Sequence, residues 1–175
     1  MQLPLTRKLI IAALLGLGFA APVTQAEEST ASLSGSEQAN YLAELKALYL
    51  TDSERQALLA HSNSLLDSYA LRAAYQVGQQ QREDRVYQLQ VAAPGELLLR
   101  EEVRSQNGEI RVSNQRLNVY GADPYIRYDC PQTGIRCVLR NPQDGSPLLS
   151  IVRDHQGAAE LAKALSFLIR NLQRG

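Results

Sequence analysis

Residues 87–119 read YQLQVAAPGELLLREEVRSQNGEIRVSNQRLNV, and this stretch decides the fold class of the chain. Its apolar residues recur mostly at every second position, which is the period of a β-strand with one buried face. The dipeptides PG at 94–95 and NG at 107–108 interrupt the alternation and are typical of tight turns. The pattern therefore predicts antiparallel strands joined by hairpins. A helix over residues 95–107 is the alternative, because proline suits a first helical turn and glycine a helix end, but the alternation favours strands.

Strand-like alternation continues after this stretch. Residues 125–130 and 135–140 predict a hairpin whose turn contains proline and glycine. The sequence NPQDG at 141–145 predicts a further turn into a last strand over 148–153. The strands together predict an antiparallel β-meander sheet.

Residues 36–81 carry helical rather than strand periodicity. The apolar face of a first helix consists of Tyr41, Leu42, Leu45, Leu48 and Tyr49. Thr51 and Glu54 then have the spacing of a capping box, which predicts the start of a second helix. The inner stripe of the second helix consists of Leu58, Leu65, Tyr69 and Ala73. The polar sequence HSNS at 61–64 is a weak helical stretch where this helix is expected to bend or break, and the two helices predict an αα-hairpin.

A third helix is predicted over residues 157–172. Its apolar stripe consists of Ala158, Leu161, Leu165, Leu168 and Leu172. A helix with such a stripe must bury it, so it is expected to pack on the sheet. The predicted class is α+β, with an N-terminal helical hairpin, an antiparallel β-meander sheet and a C-terminal helix packed on that sheet.

The first residues have the pattern of an export signal. Arg7 and Lys8 precede an apolar run at 9–21, and small residues follow at the position where a signal peptidase would cleave. The sequence thus predicts a signal peptide at 1–26, a disordered lead at 27–35 and a single α+β domain at 36–175. No later run approaches the roughly 20 apolar residues of a membrane span, so no transmembrane segment is expected after cleavage. The predicted location is the periplasm, with secretion as the alternative.

Cys130 and Cys137 are the two cysteines of the chain, spaced C-x6-C. They could form a structural disulfide, a redox-active pair or part of a metal site. In an oxidising compartment two thiols usually pair, and the spacing lacks the C-x-x-C geometry of oxidoreductases. The chain has two histidines, both far away in sequence, so a four-ligand metal site is disfavoured. A disulfide across the predicted hairpin is expected, with no metal and no cofactor.

Few residues suggest catalysis. Asp154 and His155 adjoin the last helix, where His155 could act as a general base oriented by the carboxylate. The alternative, which is favoured, is that Asp154 caps the helix and His155 is a loop residue. His61 and Asp67 lie six positions apart on a helix and face different sides, and Glu101 and Glu102 alternate across a strand. Walker, dinucleotide and G-x-S-x-G patterns are absent from the sequence.

Arginines are concentrated in the strand region. Alternation could turn five of them outward: Arg111, Arg127, Arg136, Arg140 and Arg153. An outward arginine face suits planar anions such as carboxylates and phosphates, although solvated strand faces also need polar residues. The formal net charge of the whole chain is zero, which argues against nucleic acid as a partner.

Two classes of function are compatible with these patterns. The first, which is favoured, is an exported non-enzymatic binding or accessory protein whose partner is a protein or a small anionic ligand of the cell envelope. The second is a small envelope-acting hydrolase or transferase that uses His155 and Asp154.

Overall fold

The structure, a computed structural model, describes residues 35–175. The signal peptide predicted at 1–26 lies outside the described residues, and so does the lead predicted at 27–35 apart from Gly35, which begins the first helix. The helices are α1 (Gly35–Leu48), α2 (Glu54–Ser68) and α3 (His155–Gln173), with a 3₁₀ turn at Ala73–Tyr75. The strands are β1 (Glu83–Ala93), β2 (Glu96–Ser105), β3 (Ile110–Asn118), β4 (Tyr128–Asp129), β5 (Arg136–Arg140) and β6 (Pro147–Val152).

The α+β class predicted from the sequence is confirmed, as is the strand rather than helix prediction for residues 95–107. The described strands form two three-stranded antiparallel sheets, β1-β2-β3 and β4-β5-β6, and not one continuous meander as expected. The sheet is interrupted at residues 119–127, a segment in which Val119 and Ile126 are buried. The Gln173 side chain donates to the carbonyls of Val119 and Ala122, so this segment is held against α3 and does not continue pairing with β3.

The prediction for α2 was wrong at both ends. Ser53, not Thr51, is the N-cap, because the Ser53 hydroxyl accepts from the backbone N–H of Gln56 over 3.3 Å. The helix ends at Ser68 and does not reach Ala73. Beyond that point the backbone bonds to strands instead: Val152 donates to the carbonyl of Tyr69, and Arg85 donates to the carbonyl of Leu71, each over 2.9 Å. Burial of Ala70 and Leu71 accompanies this change of partner.

The bend expected at residues 61–64 was also wrong, since α2 runs through them without a break. His61 and Asn63 have tertiary partners, which offset the weak helical propensity of this stretch. The Asn63 amide forms two hydrogen bonds with the backbone of Leu89: it accepts from the N–H over 2.8 Å and donates to the carbonyl over 3.0 Å. The side chain thereby takes the place of a neighbouring strand along this part of β1.

The C-terminal helix packs on a sheet as predicted. Asp154 is its N-cap, and its buried stripe contacts α2 and the strands β4 and β5. The two sheets are linked by Tyr87, whose hydroxyl accepts from the backbone N–H of Ser150 in β6 over 3.1 Å. The largest fully buried side chains of α3 are Leu161, Leu168, Ile169 and Leu172. Removing such leucines from water is the main source of stability for this arrangement.

Candidate functional site

Two of the five arginines singled out from the sequence, Arg127 and Arg140, lie opposite each other in the second sheet. The register of β4 and β5 pairs Tyr128 with Leu139. The backbone N–H of Arg140 donates to the carbonyl of Arg127 over 2.8 Å, which continues the ladder by one pair. Residues directly opposite in an antiparallel ladder share a face, so both side chains leave the ribbon on the same side.

Both arginines line one surface cleft that is open to solvent. The remaining lining residues are Asp123, Tyr125, Pro142 and Gly145. The loop that supplies Pro142 and Gly145 is held by its own backbone, because Asn141 donates to Ser146 and Gly145 donates to Asn141, each over 2.8 Å. Gly145 has φ +73°, a conformation that side chains disfavour. These features hold the loop in one conformation without a ligand.

In the described part of the chain, one of the two arginines has a close carboxylate partner and the other does not. Arg140 donates from Nε to Oδ2 of Asp129 over 2.7 Å. For Arg127, no carboxylate oxygen of residues 35–175 lies within 4.0 Å of the guanidinium nitrogens. Two like charges directly opposite each other on a sheet destabilise it, and an anion between them would remove that cost.

An aromatic residue adjoins the two arginines. Tyr125 is 51% exposed and lines the cleft. The guanidinium carbon of Arg170, on α3, lies 4.6 Å from the centroid of the Tyr125 ring, which is cation–π contact distance. Arg170 therefore holds the ring in place and adds a third positive charge near the cleft.

The structure does not bring the other three arginines into this cleft. Arg136 is exposed and lies on the same face of β5 as Arg140, four residues away. Arg153 is exposed just after β6. Arg111 belongs to β3 in the first sheet, where it lies within 4.0 Å of Glu83 and Glu109. The five arginines thus divide into a pair that shares a cleft and three that do not belong to it.

Asp154 and His155 are not arranged as a base and its orienting group. The Asp154 carboxylate accepts from the backbone N–H of Gly157 over 2.7 Å, which is a helix cap. His155 is exposed, and its ring makes no hydrogen bond within the part of the chain that the structure describes.

A second group of polar side chains, which the sequence pattern did not predict, lies where the three helices meet. Glu160 Oε1 accepts from the Tyr41 hydroxyl over 2.9 Å and lies 3.3 Å from His61 Nε2. The other ring nitrogen, His61 Nδ1, lies 3.2 Å from the Tyr49 hydroxyl. His61 is paired with Glu160 of α3, and not with any residue of its own helix, so helical spacing could not reveal the pair.

Two pKa values in this second group of polar side chains shift in opposite directions. The hydrogen bond from His61, with further contributions from Tyr41 and Lys163, keeps the pKa of Glu160 below its usual value despite partial burial. Burial, together with the nearby Glu160 charge, raises the pKa of Tyr41 above its ordinary value. Tyr41 therefore remains a neutral donor and Glu160 a charged acceptor at neutral pH, which is what a stabilising contact between helices requires.

Glu101 and Glu102 face opposite sides of β2. Glu101 accepts from Arg85 over 2.6 Å and from the Tyr87 hydroxyl over 2.9 Å on the inner face. Glu102 on the outer face accepts from two arginines of its own strand, two residues away on either side. Burial raises the pKa of Tyr87 to about 12, so its hydroxyl stays protonated in this network.

The disulfide predicted between Cys130 and Cys137 is confirmed, with a Cα–Cα distance of 4.2 Å. The two residues occupy opposing positions that extend the β4–β5 register in the direction away from the arginine pair. Within residues 35–175, no group of three or more His, Cys, Asp or Glu side chains is placed to hold a metal ion. None of the described helices combines the length and apolar character needed to cross a membrane.

Comparison of the chain with known protein families, curated proteins and solved structures gave no match.

Proposed function

We propose that the protein is an exported, non-enzymatic binding protein that recognises an anionic group, a carboxylate or a phosphate, between Arg127 and Arg140. The observation that carries the proposal is the direct opposition of these two arginines in one cleft, with Arg127 lacking a carboxylate partner among the described residues. A paired guanidinium site of this kind binds planar anions through several charge-assisted hydrogen bonds.

The proposed location is the periplasm, with secretion as the alternative. The signal-like N-terminal sequence supports export, and a disulfide is compatible with it because thiols persist as disulfides mainly in oxidising compartments. A catalytic role for His155 and Asp154 has less support, because the Asp154 carboxylate is occupied by the helix cap.

The test is a titration of the isotopically labelled protein with acetate and, separately, inorganic phosphate at low ionic strength, followed by two-dimensional NMR. We expect saturable shifts at the amides of residues 123–127 and 140–145 with at least one of the two anions. Arg127→Gln should abolish them, whereas Arg153→Gln, which removes the same charge outside the cleft, should not. Shifts that are absent, or equally affected by both substitutions, would refute the proposal.

A further inference from the structure

The residues that line the cleft also indicate which kind of anion it binds. Besides the arginines it presents a carboxylate, Asp123, whose Oδ1 accepts from the backbone N–H of Tyr125 over 3.0 Å. The second oxygen, Oδ2, has no partner among residues 35–175. This carboxylate weakens the attraction of the cleft for a simple anion, but it is a good acceptor for a hydroxyl group.

Tyr125 adds an aromatic surface to the same wall. Arg170 occupies one face of its ring, so a ligand reaches the opposite face or the edge. A second cation would meet the charge of Arg170 across the ring as well as Arg127 and Arg140, which disfavours a ligand with an ammonium group. An apolar C–H surface, such as one face of a saturated ring, suits the tyrosine better.

We propose that the cleft binds an acidic sugar unit, with its carboxylate between Arg127 and Arg140, a hydroxyl on Asp123 and the ring against Tyr125. This inference rests on the proposed anion-binding function and names its ligand class. The open side of the cleft suits either a free sugar acid or one residue of an acidic polysaccharide, since both present the same chemistry.

The experiment compares four probes by the same NMR titration: D-glucuronate, acetate, D-glucose and glycine. We expect glucuronate to bind about tenfold or more tightly than acetate, and glucose and glycine to bind more weakly than glucuronate. If acetate and glucuronate bind equally, the sugar inference is wrong and anion binding stands. If neither acetate nor glucuronate binds, the sugar inference fails, and anion binding stands only if inorganic phosphate binds in the earlier titration. Glycine or glucose binding as tightly as glucuronate would also refute the inference.

Two variants test the role of the aromatic ring. Tyr125→Ala should reduce the preference for glucuronate over acetate while acetate binding persists, and Tyr125→Phe should keep the preference because it keeps the ring. Tyr120→Ala is the matched control, since Tyr120 is 52% exposed, close to the value for Tyr125, but does not line the cleft. An unchanged glucuronate preference in folded Tyr125→Ala would overturn the assignment. Oligomers of glucuronate-containing polysaccharide, added in a final arm, distinguish a polymer from a free sugar acid as the source.

Discussion

Arg140 donates its backbone N–H to the carbonyl of Arg127 over 2.8 Å, and this bond places two arginine side chains directly opposite each other on one face of a ribbon. The disulfide between Cys130 and Cys137 lies three pairs along the same register. The covalent bond therefore helps to fix the alignment that brings the arginines together. The two features that the sequence suggested separately, a stapled hairpin and an arginine face, are parts of one unit.

Replacing Arg127 by Gln should leave the ligand-free protein equally stable or raise its free energy of unfolding by about 0.5 kcal/mol at low salt, because a like-charge pair is removed. Arg153→Gln, outside the cleft, should change it less. Urea unfolding with and without added anion measures both effects, and only the wild type and the control should gain stability from the anion. A marked loss of stability in Arg127→Gln would mean that the side chain has a structural partner.

Replacing both Cys130 and Cys137 by Ala should lower the free energy of unfolding by about 2.5 kcal/mol, the value that the chain-entropy treatment gives for so short a loop. The expected cause is the added freedom of the unfolded chain, so the folded variant should keep its sheet signals. Urea unfolding compares the variant with the wild type, with and without a reductant. Alkylation of both thiols in the native, unreduced wild type would contradict the disulfide itself.

Replacing Asn63 by Ala should lower the free energy of unfolding by about 2 kcal/mol, because the backbone N–H and carbonyl of Leu89 would both lose their part-buried partner. The measurement is urea unfolding together with hydrogen exchange of the Leu89 amide, which should speed up locally. Asn114→Ala provides the control, since Asn114 is exposed in β3. Equal effects of the two substitutions would show that the Asn63 contacts are unimportant.

Glu160→Gln should lower stability at neutral pH by about 1 kcal/mol, a value reduced for the partial exposure of the carboxylate. The pKa of Glu160 is lower in the folded protein than its usual value, so its contribution is present at higher pH and is lost as the pH falls through the folded pKa. Thermal unfolding of wild type and variant from pH 7 to pH 3 should thus show two curves that converge in acid. A difference that persists at the lowest pH would show that the charge is not what stabilises the contact.

Gly157→Ala should destabilise the protein by about 1–3 kcal/mol although alanine is the better helix former. A Cβ atom at this position would lie 2.5 Å from Cε1 of the Tyr69 ring, which packs against the start of α3. In a double-mutant cycle, Tyr69→Ala should remove most of the penalty of Gly157→Ala. Additive costs of the two substitutions, measured by urea unfolding, would show that the ring does not set this requirement.

The parts of the fold that follow from neighbouring residues could be predicted. The period of two after residue 87, the turn residues at 94–95 and 107–108 and the apolar stripe of α3 each act within a few positions along the chain. The incorrect predictions concern segments that bond to residues far away in the sequence. The end of α2 was misplaced because Tyr69 and Leu71 bond to strands, and the single sheet became two because Gln173 holds residues 119–127 against α3.

The candidate site shows the same division. Local patterns were enough to predict arginines on alternating strand positions and the disulfide that aligns Arg127 with Arg140. The cleft that Tyr125, Asp123 and the loop at 141–146 complete around that pair could not be predicted in this way. The same holds for the contact of His61 with Glu160, 99 residues away. The physical reason is that backbone conformation responds to the nearest residues in the chain, whereas side chains meet according to how whole helices and sheets bury their apolar faces.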